Sequence, residues 1–314
     1  MEAEIDPKVL AKLTVAELVE LHLAVDVPDI AGYFGAMLRK PARQRVPVAE
    51  RLGRSADPAH RAFAAPVAAA GSEDSRLVER VDSLLKRLLK DEDSSVRAAS
   101  LHQGFQFLHM HRSADALGER LRAGSGEATR PRFVEPLTPR VDMTPFERAS
   151  RDPDPEVRMS VAMSLTWAAS EEVNAILIRL ADDPDENVRS SVSFALLHRD
   201  VVGGVTPEVL ELLWRLSDDP DLDTRVDGLA TLVALGEPEA ARRAIRILED
   251  AVERNRSSRC PLYPLTTLIS AHWRERIDGR AGFIPDDLWS RLDAAWNVSR
   301  SYPVRPADER TVNG

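Results

Sequence analysis

A short acidic phrase recurs three times along the middle of the chain, and it constrains the fold more than any other feature of the sequence. Its copies are Asp-Pro-Asp-Pro-Glu-Val-Arg at 152–158, Asp-Pro-Asp-Glu-Asn-Val-Arg at 183–189 and Asp-Pro-Asp-Leu-Asp-Thr-Arg at 219–225. Successive copies begin 31 and 36 residues apart. A period of this length is typical of stacked helical repeats. The sequence therefore predicts an all-α fold in which each phrase forms a corner between two helices.

An apolar quartet supports the same repeat, because its members fall at i, i+3, i+4 and i+7 and share one face of a helix. The quartets are Val81, Leu84, Leu85 and Leu88; Val173, Ile176, Leu177 and Leu180; Val209, Leu212, Leu213 and Leu216; and Ala241, Ala244, Ile245 and Leu248. The first three precede Val96, Val188 and Thr224 by eight residues. Each repeat is thus predicted to have a first helix, opened by the phrase, and a second helix, which carries the quartet.

These units resemble HEAT repeats, in the short form with an Asp-Pro-Asp-x-x-Val-Arg opening that occurs in bacterial scaffold proteins and in phycobilin lyases. The resemblance covers roughly residues 57–255 and is clearest over 152–250. It implies an α-solenoid, a superhelical array of antiparallel helix pairs as in HEAT and armadillo proteins, with a binding function. It also implies structural roles in the core and between repeats for Val157, Arg158, Val188 and Arg189. Proteins of many activities share this motif, so it transfers a fold and not a function.

The places where the repeat fades predict the domain organisation. Residues 1–56 are expected to form an N-terminal helical cap, and residues 57–255 the repeat array. A loop insertion is predicted at 124–143, where glycines and prolines exclude a regular helix. Residues 256–298 are expected to form a C-terminal helical cap, and residues 299–314 a disordered tail.

Two capping boxes predict helix starts, because a threonine oxygen accepts an N–H of the first turn while a glutamate reaches back to the threonine N–H. The first is Thr14-Val-Ala-Glu17, followed by a predicted helix from about residue 15 to about residue 25. The second is Thr144-Pro-Phe-Glu147.

Composition points to a soluble protein of the bacterial cytoplasm. The single cysteine, Cys260, excludes an intrachain disulfide framework and any multi-cysteine zinc site. The first six residues are acidic where a signal peptide is basic. No apolar run approaches the roughly 18 residues of a membrane span.

The sequence lacks the motifs of an enzyme, so a noncatalytic protein without metal or cofactor is the favoured prediction. HEAT-fold di-iron hydroxylases use paired His-Glu dipeptides, and none of the seven histidines is followed by glutamate. His102 and His109 lie two turns apart on one helix, roughly 10 Å, which is too far for a shared metal. No phosphate-binding loop, dinucleotide fingerprint or nucleophile elbow is present.

The candidate binding residues lie on the second helices, outside the quartets. Arg87, Arg179 and Arg215 follow the third quartet position by two residues, and Lys86, Ile178 and Trp214 stand just before them. Arg242 and Arg246, with Arg243, extend the series. Second helices line the concave surface of a HEAT solenoid. The predicted partner-binding surface is therefore a basic row with an exposed tryptophan, suited to an acidic protein or a phosphate backbone.

An opposing interpretation is that this basic row is neutralised. Arg87, Arg179 and Arg215 each stand four residues before a corner aspartate, at Asp91, Asp183 and Asp219, and helical pairs at this spacing are weakly stabilising. The net charge is −9, and residues 145–255 hold 12 basic and 23 acidic side chains, which disfavours nucleic acid as the partner.

Three functions follow from the sequence, and none involves a membrane. The first hypothesis is a scaffold that binds a protein along its concave face. The second is a nucleic-acid-binding protein resembling the HEAT-like alkylpurine DNA glycosylases. The third is a small-ligand or chromophore-handling protein akin to the phycobilin lyases.

Overall fold

A computed structural model describes most of the repeat region. The described residues are 7–24, 35–37, 39–69, 75–105, 142–166, 170–198 and 206–254, together with Asp287, Ser290, Arg291 and Ala294. The chain divides into two compact units, Met1–Ile176 (unit 1) and Leu177–Gly314 (unit 2). Outside the described residues lie Cys260, His109, the tail at 299–314, the predicted loop up to residue 141 and, apart from those four residues, the predicted cap at 256–298.

Unit 1 is helical throughout its described part. Its helices are α1 (Pro7–Leu10), α2 (Val15–Ala24), α3 (Ala42–Leu52), α4 (Pro58–Ala69), α5 (Ser75–Leu88), α6 (Ser94–Ala99), α7 (Thr144–Ala149) and α8 (Pro155–Ser164). A π-helical segment, Ser100–Phe105, continues α6. Helix α4 packs against α3, α5 and α6, and α6 packs against α8. First helices therefore stack on first helices, as a repeat array requires.

Unit 2 repeats this arrangement with four further helices. They are α10 (Glu186–His198), α11 (Pro207–Leu216), α12 (Leu222–Ala234) and α13 (Pro238–Arg254), and they follow α9 (Glu171–Leu180), which contains the boundary between the units. Helix α12 packs against α10, α11 and α13, and every residue from 226 to 233 is buried. The turn between α12 and α13 uses Gly236, whose φ of 87° favours glycine.

The core confirms the quartets. All twelve members of the first three quartets are at most 5 % exposed, as are Ala241, Ala244 and Ile245 of the fourth. Val96, Val157 and Val188 of the phrases are fully buried, and Thr224 takes the same place in the last copy. Burying an aliphatic side chain of this size contributes about 1.5–3 kcal/mol. The repeat pattern thus identifies the residues that hold neighbouring helices together.

The corners are joined by a corner ladder, the pairs Arg61–Asp91, Arg97–Asp152 and Arg189–Asp219. In each pair both carboxylate oxygens accept from Nε and Nη2 of the arginine, at 2.7–3.0 Å. The remaining Nη1 donates to two carbonyls of the arginine's own corner, as Arg189 does to Asp183 and Pro184. A bidentate ion pair of this kind fixes orientation as well as distance. The ladder therefore sets the spacing of successive corners within each unit.

Helix caps follow the sequence with one exception. Thr14 and Glu17 form the predicted capping box, with the Thr14 N–H 2.7 Å from Glu17 Oε2 and the Glu17 N–H 3.2 Å from Thr14 Oγ1. The second predicted box is wrong, because Thr144 is already inside α7 and its N–H donates to Asp142 at 3.1 Å. An aspartate two residues upstream has taken the capping role that the threonine was expected to fill.

Candidate protein-interaction surface

The two units share the predicted binding residues unequally. Lys86 and Arg87 lie on α5 in unit 1. The other six, Ile178, Arg179, Trp214, Arg215, Arg242 and Arg246, belong to unit 2, on α9, α11 and α13. The two groups are therefore separate candidates, and the larger one contains the tryptophan.

Trp214 is the centre of the unit 2 group, and its indole is half-buried at the surface of α11. The guanidinium carbon of Arg243, on α13, lies 5.3 Å from the centre of the indole ring. A cation placed over an aromatic face at this distance is attracted by the ring. Arg243 also donates to Asp218 Oδ1 at 2.8 Å. The indole is thus fixed in place and still presents part of its surface to solvent.

A second ion pair joins α11 to the corner that follows α9. Arg215 Nη1 donates to Asp182 Oδ1 at 2.9 Å, and the two side chains are 47 % and 65 % exposed. Asp182 and Asp218 each stand one residue before a corner aspartate, so the same position accepts an arginine from the following second helix in both repeats. Exposed pairs of this kind add little to stability. Their charges remain available to a partner.

The remaining predicted cations of the unit 2 group are also paired or partly covered. Arg242 and Arg246 donate to Glu239 of the same helix at 3.1 and 3.4 Å, and the hydrogen bond from Arg242 lowers the pKa of that carboxyl. Ile178 and Arg179 are half-buried on α9. In unit 2 the basic row is therefore a mixed surface, in which arginines alternate with carboxylates.

The predicted pairing of this row with the corner aspartates is wrong for two of its three arginines. Among the described residues, Asp91 is bound by Arg61 and Asp219 by Arg189, and neither meets the second-helix arginine four residues before it. The corner ladder occupies both oxygens of each carboxylate. Arg215 instead uses Asp182, and Arg87 donates to the carbonyl of Gly53 at 3.5 Å.

In unit 1, Lys86 is part of a small charged cluster. Its Nζ lies 3.0 Å from Asp82 and 3.6 Å from Asp142, and the hydrogen bond that it donates to Asp82 raises the pKa of the amine. Asp142 precedes α7, so this contact joins the start of α7 to the second helix α5. The lysine is half-exposed and retains access to solvent.

One residue of interest escaped the sequence analysis. Asp227 on α12 is only 4 % exposed, and its Oδ1 has no hydrogen-bond partner among the described residues. Burial, with the nearby charges of Asp223 and Asp221, raises the pKa of Asp227 to about 7.

A positional signal for Asp227 was nevertheless present in the sequence. Ser160 and Ser191 stand at the same point, two residues after the phrase arginine, and both are buried. An aspartate at a position that is buried in these two repeats marks a group that cannot be solvated in the usual way.

Over the described ranges, no three His, Cys, Asp or Glu side chains are arranged to hold a metal ion. Within the same ranges, no helix is both long enough and apolar enough to cross a membrane.

Comparison with known proteins agrees with this architecture. The sequence model of the HEAT-repeat family matches residues 144–232, which contain all three copies of the phrase. No curated protein matches the sequence. The all-α array of paired helices has the fold of an α-solenoid of HEAT repeats, and residues 144–232 match the HEAT-repeat family.

Three solved structures match the chain at low sequence identity, and the first of them has a similar fold. The crystal structure of YibA from Escherichia coli matches with a TM-score of 0.54 and 14 % identity, over 96 % of this chain and 99 % of that chain. An engineered protein matches with a TM-score of 0.39 and 15 % identity, over 80 % and 97 % of the two chains. The complex of CpcE and CpcF of phycocyanin lyase from Nostoc sp. matches with a TM-score of 0.37 and 16 % identity, over 88 % and 96 %.

Proposed function

We propose that this chain is a noncatalytic scaffold of the bacterial cytoplasm that binds a protein partner through the second helices of unit 2. The observation that carries the proposal is Trp214, a half-buried indole held under Arg243 on the surface of α11 and α13. Tryptophan and arginine are the residues most enriched among the dominant contacts of protein interfaces. An indole that is already fixed loses little conformational entropy when a partner covers it.

Charge favours a protein over a nucleic acid. Nonspecific nucleic-acid binding needs cations that are free to replace counterions along a phosphate backbone. Around Trp214, Arg215 and Arg243 are paired with Asp182 and Asp218. An alternating surface of this kind suits a partner that carries charges of both signs, with acidic groups placed against the arginines.

The test begins by placing a photo-crosslinking amino acid at position 214 of the full chain in cells, followed by identification and purification of the crosslinked protein. Affinity is then measured by titration of the two purified proteins. Trp214→Ala is expected to weaken binding by about thirtyfold, the effect of a 2 kcal/mol interface residue. Arg215→Glu is expected to weaken it by reversing a charge within the surface.

The matched control is Glu186→Ala, which removes an exposed side chain at the start of a first helix, α10. This variant should bind as the unmodified protein does. If the crosslinked protein binds Trp214→Ala and the unmodified chain equally, the surface around Trp214 is not the interface. Salt-dependent binding of DNA that is lost in Arg215→Glu would favour the nucleic-acid hypothesis instead.

A further inference from the structure

A cleft between α3 and α5 of unit 1 collects four arginines. It has a volume of about 300 Å³, and the charged residues lining it are Glu50, Arg54, Arg76, Glu79, Arg80 and Arg87. All four arginines are exposed at the surface, so the cleft is open to a ligand from solvent. Its size is at the lower end of the range for small-molecule sites.

The carboxylates of this cleft leave positive charge uncompensated. Among the described residues, Glu50 is bound by Arg80, with its two oxygens 2.9 and 2.8 Å from Nε and Nη2. Arg54 has no carboxylate partner among the described residues, and Arg87 donates only to the neutral carbonyl of Gly53. Among the described residues that line the cleft, four guanidinium groups therefore face two carboxylates, and the two guanidinium groups without a carboxylate there are those of Arg54 and Arg87. This differs from unit 2, where Arg215, Arg242, Arg243 and Arg246 each reach a carboxylate.

The lowered pKa of Glu50 supports the grouping of these arginines around one carboxylate. The hydrogen bond from Arg80 is the main cause that lowers the pKa of Glu50, and the charges of Arg54 and Arg87 lower it further. The guanidinium groups of Arg54 and Arg87 are thus within electrostatic range of the same carboxylate, at one end of the cleft.

Gly53 allows Arg87 to reach this position. Its φ of −66° is open to any residue, so backbone conformation does not require glycine here. A Cβ at this position would lie 2.8 Å from Leu84 Cδ1 and 3.0 Å from Arg87 Nη2. The absence of a side chain at Gly53 therefore leaves room for the Leu84 methyl group and for the Arg87 guanidinium beside the end of α3.

We infer that this cleft binds the phosphate group of a small phosphorylated molecule, with Arg54 and Arg87 as the principal contacts and Arg80 held in place by Glu50. A phosphate dianion matches the two uncompensated charges, whereas a carboxylate neutralises one. The planar guanidinium fork donates two parallel hydrogen bonds to phosphate oxygens. This site concerns a different unit and a different ligand class from the protein-interaction surface proposed above.

The test is calorimetric titration of the full chain at constant ionic strength and pH 8, where phosphate is a dianion. The probes are inorganic phosphate and phosphoserine, with acetate as the monoanion comparison. Saturable binding of one phosphate per chain, with acetate much weaker, is the expected result. Tighter binding of phosphoserine than of phosphate assigns the site to an esterified ligand, and equal binding assigns it to phosphate itself. Absence of saturable binding of both probes overturns the inference.

Variants identify the cleft as the site. Arg54→Gln and Arg87→Gln are each expected to weaken phosphate binding about tenfold, the effect of one hydrogen bond to a charged group. Arg51→Gln removes the same charge from an exposed position of α3 outside the cleft and should leave the affinity unchanged. An equal loss in Arg51→Gln would show only a general effect of charge and would contradict the site.

Glu50→Gln is expected to change the affinity for phosphate in the opposite direction. Removing its negative charge raises the local excess of positive charge, so phosphate should bind several-fold more tightly. A merely structural role of the cluster predicts no such gain. Thermal unfolding by circular dichroism confirms that each variant is folded, and weaker phosphate binding by a folded Glu50→Gln would count against the proposal.

Discussion

Asp227→Asn is expected to stabilise the protein at neutral and alkaline pH. Asp227 lies on α12, which packs against three other helices of unit 2, and its Oδ1 is buried without a hydrogen-bond partner among the described residues. Ionising a carboxyl in such a place costs free energy because water no longer surrounds the charge. Asparagine has nearly the same shape and carries no charge, so it removes the cost without opening a cavity.

The size of the effect follows from the pKa of about 7 in the folded protein, against an ordinary value of 3.8. Below the ordinary value both states are protonated, and the group does not change stability. Between the two values the unfolded chain loses its proton first, so stability falls by about 1.4 kcal/mol per pH unit. Above pH 7 the loss is complete, at about 4 kcal/mol. From pH 5 to pH 8, the advantage of the variant should therefore grow by about 3 kcal/mol.

Urea unfolding followed by circular dichroism at pH 5, 6, 7 and 8 measures this difference, because each variant's free energy of unfolding is obtained from its midpoint and slope. Hydrogen exchange of the α12 amides measures the stability of this helix by itself, since repeats can unfold separately. Glu211→Gln, at an exposed position of α11, is the control and should show no growing advantage. A gap between Asp227→Asn and the unmodified chain that stays constant from pH 5 to pH 8 would refute the reasoning.

Three further outcomes test the packing of unit 2. Asp219→Asn breaks the ion pair with Arg189, whose two side chains are 16 % (Arg189) and 9 % (Asp219) exposed. It should lower the free energy of unfolding in urea by about 3 kcal/mol. The loss should be smaller when Arg189 is also replaced, because no unpaired charge is then left behind. Gly228→Ala should lower the Tm, although alanine favours helices, because the new Cβ would lie 3.1 Å from the backbone nitrogen of Ser217. A rise in Tm would contradict this. Val188→Ala, at a fully buried position, should cost about 1–3 kcal/mol in urea unfolding, whereas a near-zero change would remove that valine from the core.

Periodicity predicted the fold because burial imposes it. A helix that packs on one side needs apolar residues at i, i+3, i+4 and i+7, and the quartets that met this rule are buried in the structure. The first capping box was predictable for a similar reason, since its groups are three residues apart. The second failed because Asp142, outside the four-residue motif, competes for the same N–H.

The candidate surface was predictable only in part. Counting along the quartets located Trp214 and Arg215, because the position of a residue on a helix face follows from its spacing. Counting along the quartets did not identify the residues that Trp214 and Arg215 contact. Arg215 reaches Asp182, 33 residues earlier, and the indole lies beside Arg243 of the next helix. These contacts depend on how helices from different repeats are placed side by side.

The sequence by itself determined the repeat, the residues of its core and the first capping box, because each of these depends on neighbours within a few positions. The tertiary structure decided which carboxylate each arginine binds. Sequence spacing favoured Asp219 for Arg215, but the stacking of first helices brings Arg189 to Asp219 with two short hydrogen bonds. It also decided that Asp227 is enclosed and that four arginines meet at one cleft. Burial and charge pairing depend on distances in space, and those are fixed only once the helices have packed.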